Sequence, residues 1–399
     1  MKKPLVLIGF LCLLSFLFGC SRLFQRPLEG PEAPSFRVVP TAQWPALEDD
    51  SDFESLRTSL SQSLAFLTSQ PAGKKMLIGT REVSYQEVLS TLKLFSEILE
   101  KNPDPVSIID QVRMRFQLFQ IVIEDKAVPL LITGYYEPTL RGSLSFSPEY
   151  PYPIYRQPDD LLVIEPGRFS KNFQGQKWIG RLAGRQVFPY FSRREIDREG
   201  SLNNKNLEIL WVDDPLKLFF LHIQGSGQVR LEDGAIVKVQ YQASNGQAYV
   251  PIGRELIRRG ILKPEEVSLQ SIYAYLKEHP ELQTEIMDLN PSYVFFRQAE
   301  NGPYGSLGGR LTPGRSVAMD FKWAPPGGLA WIEGVKPELD ETGRIRRWVP
   351  MNRWVCIQDS GGAIKGPKRL DLFWGNGGEA EMAAGHLRHP GLIYFLLRK

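Results

Sequence analysis

The apolar positions of this chain are spaced in two ways, and the change from one to the other divides it. Over residues 51–70 and 84–102 they recur at helical intervals. In the second stretch Val88, Leu89, Leu92, Leu94, Phe95 and Leu99 make one broad stripe, and Asn102-Pro103 closes it, because a residue before proline is pushed out of helical geometry. A third helix is predicted over 106–119. From Phe116 to Thr133 the texture changes to short apolar runs, FQIVI and then VPLLITGYYEP, so strands begin there. Residues 134–250 read mostly as β, in segments such as LLVIEP, LEILWVDD, LKLFFLHIQ and QVRLEDGAIVKVQYQ. Leu231-Glu232-Asp233-Gly234 signals a hairpin, since Asp-Gly accepts positive φ. Two helices follow, one from Ile252 to Arg259 with Gly260 as its cap and one from Ser268 towards His279. Residues 290–399 return to short strands between Gly- and Pro-rich turns. Helices, strands, helices, strands: a mainly β core with peripheral helices fits this order.

The first nineteen residues follow another logic. Lys2 and Lys3 precede an apolar run from Pro4 to Phe18, then Gly19 and Cys20. Basic, apolar, small is the order of a secretory signal, and the run is short for a membrane-spanning helix. Leu17-Phe18-Gly19-Cys20 resembles a bacterial lipobox, which implies cleavage before Cys20 and lipid attachment there. Ser21 rather than Asp follows, and by the same resemblance this favours the outer membrane, with the body facing the periplasm. An uncleaved signal anchor, or a simple signal with a chance cysteine, is the competing reading. Residues 20–50, with Pro27, Pro31, Pro34, Pro40 and Pro45, are expected to be a lipidated tether.

Composition narrows the function. A chain of 399 residues with 42% hydrophobic and 23% charged residues is ordinary for a folded protein, and its length suggests two domains or one domain with a large insertion. Net charge is +3, of which Lys2 and Lys3 belong to the leader, so the body has no electrostatic reason to bind nucleic acid. Cys12 and Cys20 lie in the leader segment, which leaves Cys356 alone and excludes a disulfide framework or zinc cluster. The four histidines are scattered, and there is no HExxH, phosphate loop or GxSxG elbow. No metal and no cofactor is expected.

The candidate chemistry is concentrated near the C-terminus. Asp359 follows the apolar run Trp354 to Ile357 and precedes Gly361-Gly362, which allow a tight turn or close approach of a ligand. Asp371 is flanked by Leu370, Leu372 and Phe373. A carboxyl among apolar groups is kept protonated by desolvation and so can serve as a general acid. Asp320 has a similar setting after Val317-Ala318-Met319. The blander possibility is that each aspartate caps a turn or pairs with an arginine. Thr133-Gly134-Tyr135-Tyr136-Glu137-Pro138 and Phe220-Leu221-His222-Ile223-Gln224-Gly225-Ser226-Gly227 combine aromatic faces, amides and glycines, as a sugar site requires; core aromatics beside a turn would look the same. His222, in its apolar run, reads as a core histidine. Tyr241 to Tyr249 offers polar groups either to a groove or to the loop backbone.

Six segments, ITGYYEP, FFLHIQGSG, YQASNGQAY with PIGRELIRRG, NPSYVFFR, QDSGGAIKG and DLFWG, occur in this order over residues 130–399 and together resemble the membrane-bound lytic murein transglycosylase A family. The resemblance implies a double-psi β-barrel of the three-aspartate type with an inserted second β domain. The barrel would come from 51–135 and 290–399 and the insert from 136–289. It implies Asp371 as catalytic acid and Asp359 as its support, with Tyr135, Tyr136, Gln224, Ser226 and Asp320 lining a groove for peptidoglycan glycan strands. The implied activity is a lytic exotransglycosylase, acting as a monomer, that leaves 1,6-anhydro-muramyl ends. A hydrolase acting in the same groove, a non-catalytic peptidoglycan-binding lipoprotein and an envelope scaffold that binds other proteins remain the alternatives.

Overall fold

The computed structural model describes residues 34–399 apart from 72, 79, 80, 103, 124 and 125. The expected signal, Cys20 and the start of the tether lie outside the described residues. Among those described, six strands close into a barrel. In spatial order they are Leu130–Glu137, Arg369–Asn376, Ser316–Ala318, Ile345–Asp359, Leu329–Leu339 and Arg388–Arg398, which pairs back to Leu130–Glu137. The pairing is mixed. Ser316–Ala318 runs parallel to Ile345–Asp359 and antiparallel to Arg369–Asn376, which in turn runs parallel to Leu130–Glu137. Phe116–Ile123 lies on the outer edge of Arg388–Arg398.

Three helices cover this sheet. Phe53–Thr68 starts at Asp52, whose carboxylate accepts from the Ser55 N–H, and Tyr85–Lys101 starts at Ser84 in the same way. The apolar stripe read from the sequence is the buried face of the second helix: Leu92 and Phe95 are fully buried, and Phe95 meets Phe116 and Trp354 edge-on. The third helix, Pro105–Arg115, ends four residues earlier than predicted because Phe116 enters a strand. Cys356 is buried in the barrel core, and burial pushes its thiol up to about 11.

A second β unit interrupts the barrel between Glu137 and Ser316. Its main sheet has the order Val294–Ala299, Ile236–Ser244, Ser226–Arg230, Thr139–Ser143, Glu208–Val212, Tyr152–Tyr155. A small sheet of Leu162–Ile164, Trp178–Ala183 and Gln186–Pro189 projects from it. Helices Ile252–Arg258, Leu269–Glu278 and Pro280–Asp288 share a separate apolar core with Leu216, Phe219 and Phe220. This is the expected class: mainly β, a closed barrel, a second β unit and peripheral helices.

Three expectations are corrected. The tether does not reach residue 50: Ser35–Val38 pairs with Phe116–Ile123, and Val39, Trp44 and Leu47 are buried. Asp49 grips Arg315 through both carboxylate oxygens (2.7 and 3.0 Å), and Asp50 grips Arg353 likewise (2.7 and 2.8 Å), so the proline-rich composition hid apolar and ionic anchors. The second unit does not stop at residue 289, because Val294–Ala299 pairs with Ile236–Ser244. The LKLFFLHIQ run is not a strand but helix Pro215–Gln224, started by Asp214 accepting from Leu216 and Lys217 and ended by Gly225 at φ 79°.

Candidate active site

The site grows from one line across the barrel. Ala318 is paired on one side with Asp359 and on the other with Asp371, so the two aspartates flank it at the same level of the sheet. Asp359 ends its strand, and Asp371 is the third residue of its own. Tyr135 stands opposite Phe373 on the next strand, their ring centroids 5.2 Å apart, and its phenol donates to Asp359 Oδ2 at 3.1 Å.

The two carboxyls are solvated differently by the protein. Asp359 Oδ1 accepts from the backbone N–H groups of Ser306 and Ser360, both at 2.8 Å, and Oδ2 takes the Tyr135 hydroxyl. Gly305 makes this possible: a Cβ there would sit 2.4 Å from the Gln358 carbonyl oxygen, so only glycine lets the Ser306 loop approach so closely. Burial raises the Asp359 pKa, and those three donors oppose the rise. Asp371 has no such help. Its Oδ1 is buried without a hydrogen-bond donor, and the nearest cation, Arg369 Nη2, is 3.9 Å away. Arg369 is the neighbour two residues back on the same strand face, steadied by Thr133 Oγ1 at 3.2 Å. Burial raises the Asp371 pKa to about 6; Arg369 pulls it down and the Asp359 charge adds to the rise. The side chain keeps 19% exposure, so a substrate can reach it.

Both aspartates open into a cavity of about 1200 Å³ between the barrel and the second unit. Tyr135 and the Ser360–Ile364 turn line it from the barrel side; Gln224, Ser226, Gln240, Tyr241 and Tyr249 line it from the other. Gln224 also joins the units, its Oε1 accepting from the Tyr136 N–H at 3.1 Å. Not every expected residue faces this space. Successive residues on a strand point to opposite faces, so Tyr136 turns away from Tyr135 and packs against Ala380 and Ala384. Asp320 is absent from the cavity wall. Its carboxylate accepts from the Lys322 N–H at 3.1 Å and the Gly366 N–H at 2.9 Å, which pins the base of the Asp359–Gly366 turn. His222 is buried between Tyr293 and Phe296 with Arg193 at 3.0 Å, as a core histidine that also borders the cavity. Burial, then the Arg193 charge, drives its pKa well down.

Sequence reasoning missed Ser306 and the part played by Arg369. Ser306 and Arg369 act through a backbone N–H and a flank position that no local pattern marks. Tyr249 lies in the flagged Tyr241–Tyr249 loop, whose two readings both hold: Asn245 donates to the Phe191 and Pro291 carbonyls, while Ser244, Gln247 and Tyr249 face the cavity.

Comparison with known proteins agrees with this architecture. Residues 131–297 match the MltA specific insert domain, and residues 315–397 match the 3D domain. A membrane-bound lytic murein transglycosylase from Agrobacterium tumefaciens superposes with a TM-score of 0.75 at 30% identity, covering 91% of this chain and 98% of that one. The chain belongs to the membrane-bound lytic murein transglycosylase A family. Among curated members, the protein of Escherichia coli strain K12 is 33% identical over 66% of this chain, and the match spans 64% of the E. coli protein's own length. The family member of Vibrio cholerae is 29% identical over 79% of each chain. E. coli MltA has also been solved with bound chitohexaose; that structure matches with a TM-score of 0.67 and 25% identity, covering 92% of this chain and 96% of the other.

Proposed function

We propose that this chain is a peptidoglycan lytic transglycosylase in which Asp371 alone acts first as acid and then as base. The observation that carries the reading is the contrast between a buried, donor-free Asp371 and a neighbouring Asp359 whose oxygens already accept three hydrogen bonds. Glycoside hydrolysis ordinarily needs a second carboxylate free to attack or to activate water. Asp359 is engaged, so the arrangement favours a reaction that needs only one.

In that reaction protonated Asp371 gives its proton to the oxygen bridging N-acetylmuramic acid and N-acetylglucosamine. The bond from muramyl C1 to that oxygen breaks, and positive charge develops at C1. The C6 hydroxyl of the same sugar then attacks C1 and returns its proton to Asp371. No water is consumed, and the product ends in a 1,6-anhydro ring. Intramolecular attack supplies its own high effective concentration, so no protein nucleophile is required. Asp359 and Tyr135 fix the local field and the sheet geometry beside the acid. Gln224 and Ser226, with Tyr241 and Tyr249, are the wall that the glycan strand would lie along. The chitohexaose held by the E. coli relative supports an extended sugar chain as ligand.

Membrane association fits the names of the relatives. We assign it to lipidation of Cys20 at the outer membrane, with the body facing the periplasm.

The test is mass spectrometry of soluble products from purified peptidoglycan, wild type beside Asp371→Asn. Anhydro-muramyl products from the wild type alone support the reading. Reducing-end products, heavier by one water, would move it to a hydrolase, and equal activity in both proteins would remove Asp371 from its role.

A further inference from the structure

The small sheet of the second unit carries an uncovered apolar face. Its register puts Leu162 and Ile164, Trp178, Gly180 and Leu182, and Val187 and Pro189 on one side. That face has no polar side chain, although sheets with one free face normally make it polar. Trp178 is 47% exposed, Leu182 63% and Val187 52%. Phe173 stacks edge-on to Trp178 at 5.3 Å, and Phe169, in the same loop, is 86% exposed. The other face packs inward only in part: Ile179 approaches Gly246 closely and Arg181 lies over the rings of Phe188 and Phe191, while Val163 and Phe188 at its margin stay 56% and 41% exposed.

Charge is concentrated around the same patch. Residues 161–191 hold Arg168, Lys171, Lys177, Arg181 and Arg185 against Glu165 alone, an excess larger than the +3 of the whole chain. Arg168 is paired with Glu165 at 2.6 Å. Lys171, Lys177 and Arg185 are exposed and in no ion pair among the described residues. No residue of 161–191 lines the catalytic cavity, so the groove does not account for this face.

We propose that this sheet docks on an anionic phospholipid surface. An exposed tryptophan and aliphatic side chains, on a segment that also carries exposed lysine and arginine, match the boundary between headgroups and acyl chains. The aliphatic Leu182 and Val187 favour a bilayer over a sugar chain, which stacks on aromatic rings. Docking here would turn an already tethered body so that its sheet face lies on the membrane, fixing the direction in which the groove opens.

The experiment uses full-length protein in vesicles of phosphatidylcholine, with or without phosphatidylglycerol, whose acyl chains are brominated. The fluorescence difference between wild type and Trp178→Phe isolates the Trp178 signal. We expect that signal to be quenched in the anionic vesicles and much less in the neutral ones. Each of Lys171→Gln, Lys177→Gln and Arg185→Gln should weaken docking about fivefold, the equivalent of about 1 kcal/mol per basic residue near an anionic surface. An unquenched Trp178 signal in anionic vesicles overturns the proposal. So does a signal that responds to soluble peptidoglycan fragments and not to brominated lipid, which would assign the face to the glycan.

Discussion

The barrel buries carboxylates in two places and treats them in opposite ways. Under the N-terminal helices, Asp49 and Asp50 each meet an arginine through both oxygens. Arg315 and Arg353 are themselves buried and satisfied by further acceptors, such as the Trp354 and Asp52 carbonyls around Arg315. Although burial alone would raise it, the Asp50 pKa is held below the usual range by Arg353 and Lys336. On the groove side the Asp371 side chain is about as exposed as that of Asp50, 19% against 21%, yet it has no donor among the described residues and only one distant cation. A paired buried charge fixes structure. An unpaired one costs stability and gains a proton that it can give away.

The largest effect should come from removing that proton. Asp371→Asn is expected to lower kcat by about a thousandfold or more, within the range general acids contribute, read as anhydro products per unit time. The same variant should be more stable than wild type. The folded pKa of Asp371 is raised to about 6 from its ordinary value of 3.8, so its carboxyl costs nothing below the unfolded value, and the cost grows with pH until it is complete above about 6. The gain of Asp371→Asn should therefore be absent near pH 4 and reach at most roughly 3 kcal/mol above pH 6. Urea denaturation at the two pH values measures it; a gain independent of pH would break the comparison.

On the structural side, Asp49→Asn should cost about 3–5 kcal/mol, because it leaves Arg315 buried beside an unmatched partner. Its effect on kcat should be small wherever the protein remains folded. A loss of activity in folded protein equal to that of Asp371→Asn would erase the distinction between the two sites.

Smaller changes sharpen it. Arg369 holds the Asp371 pKa down, so Arg369→Gln should move the alkaline limb of the kcat/KM profile to higher pH. An unmoved limb would mean that another group controls it. Tyr135→Phe removes one donor from Asp359 and keeps the ring against Phe373. A loss of about tenfold in kcat is expected, the equivalent of one hydrogen bond to a charged group, with the melting temperature little changed.

The same contrast explains what was legible in the sequence. The apolar run around Asp371 marked a buried strand; within it Phe373 shares the Asp371 face, while Leu370 and Leu372 point into the barrel core. The Asp49–Arg315 pair joins residues 266 apart, and nothing local marks it. Its anchors were therefore read as part of a tether. The PLKLFFLHIQ run defeated periodicity because a short helix buried on most sides and a buried strand are both continuously apolar; Asp214-Pro215 before it and Gly225 after it were the stronger signals. The Tyr135-Tyr136 pair needed only strand alternation to be separated into one groove residue and one packing residue. Asp320 resembled its two counterparts in local sequence, and only the fold shows its oxygens turned to backbone N–H groups.

The strand Arg388–Arg398 touches Phe116–Ile123, Leu130–Glu137 and Leu329–Leu339 at once. The sheet of the second unit, by contrast, is drawn entirely from residues 139–299. Pairings across some 250 positions form late, because the entropy of closing so long a loop must be met before they stabilise anything. The second unit should thus acquire hydrogen-exchange protection before Leu130–Glu137 does, which pulse labelling during refolding would measure; simultaneous protection would refute the order. Tyr135 reaches Asp359 only when Leu130–Glu137 pairs with Arg369–Asn376 across some 240 positions. A chain still folding therefore holds the two halves of the groove apart, and the proposed site is complete only with the final zipping of the barrel.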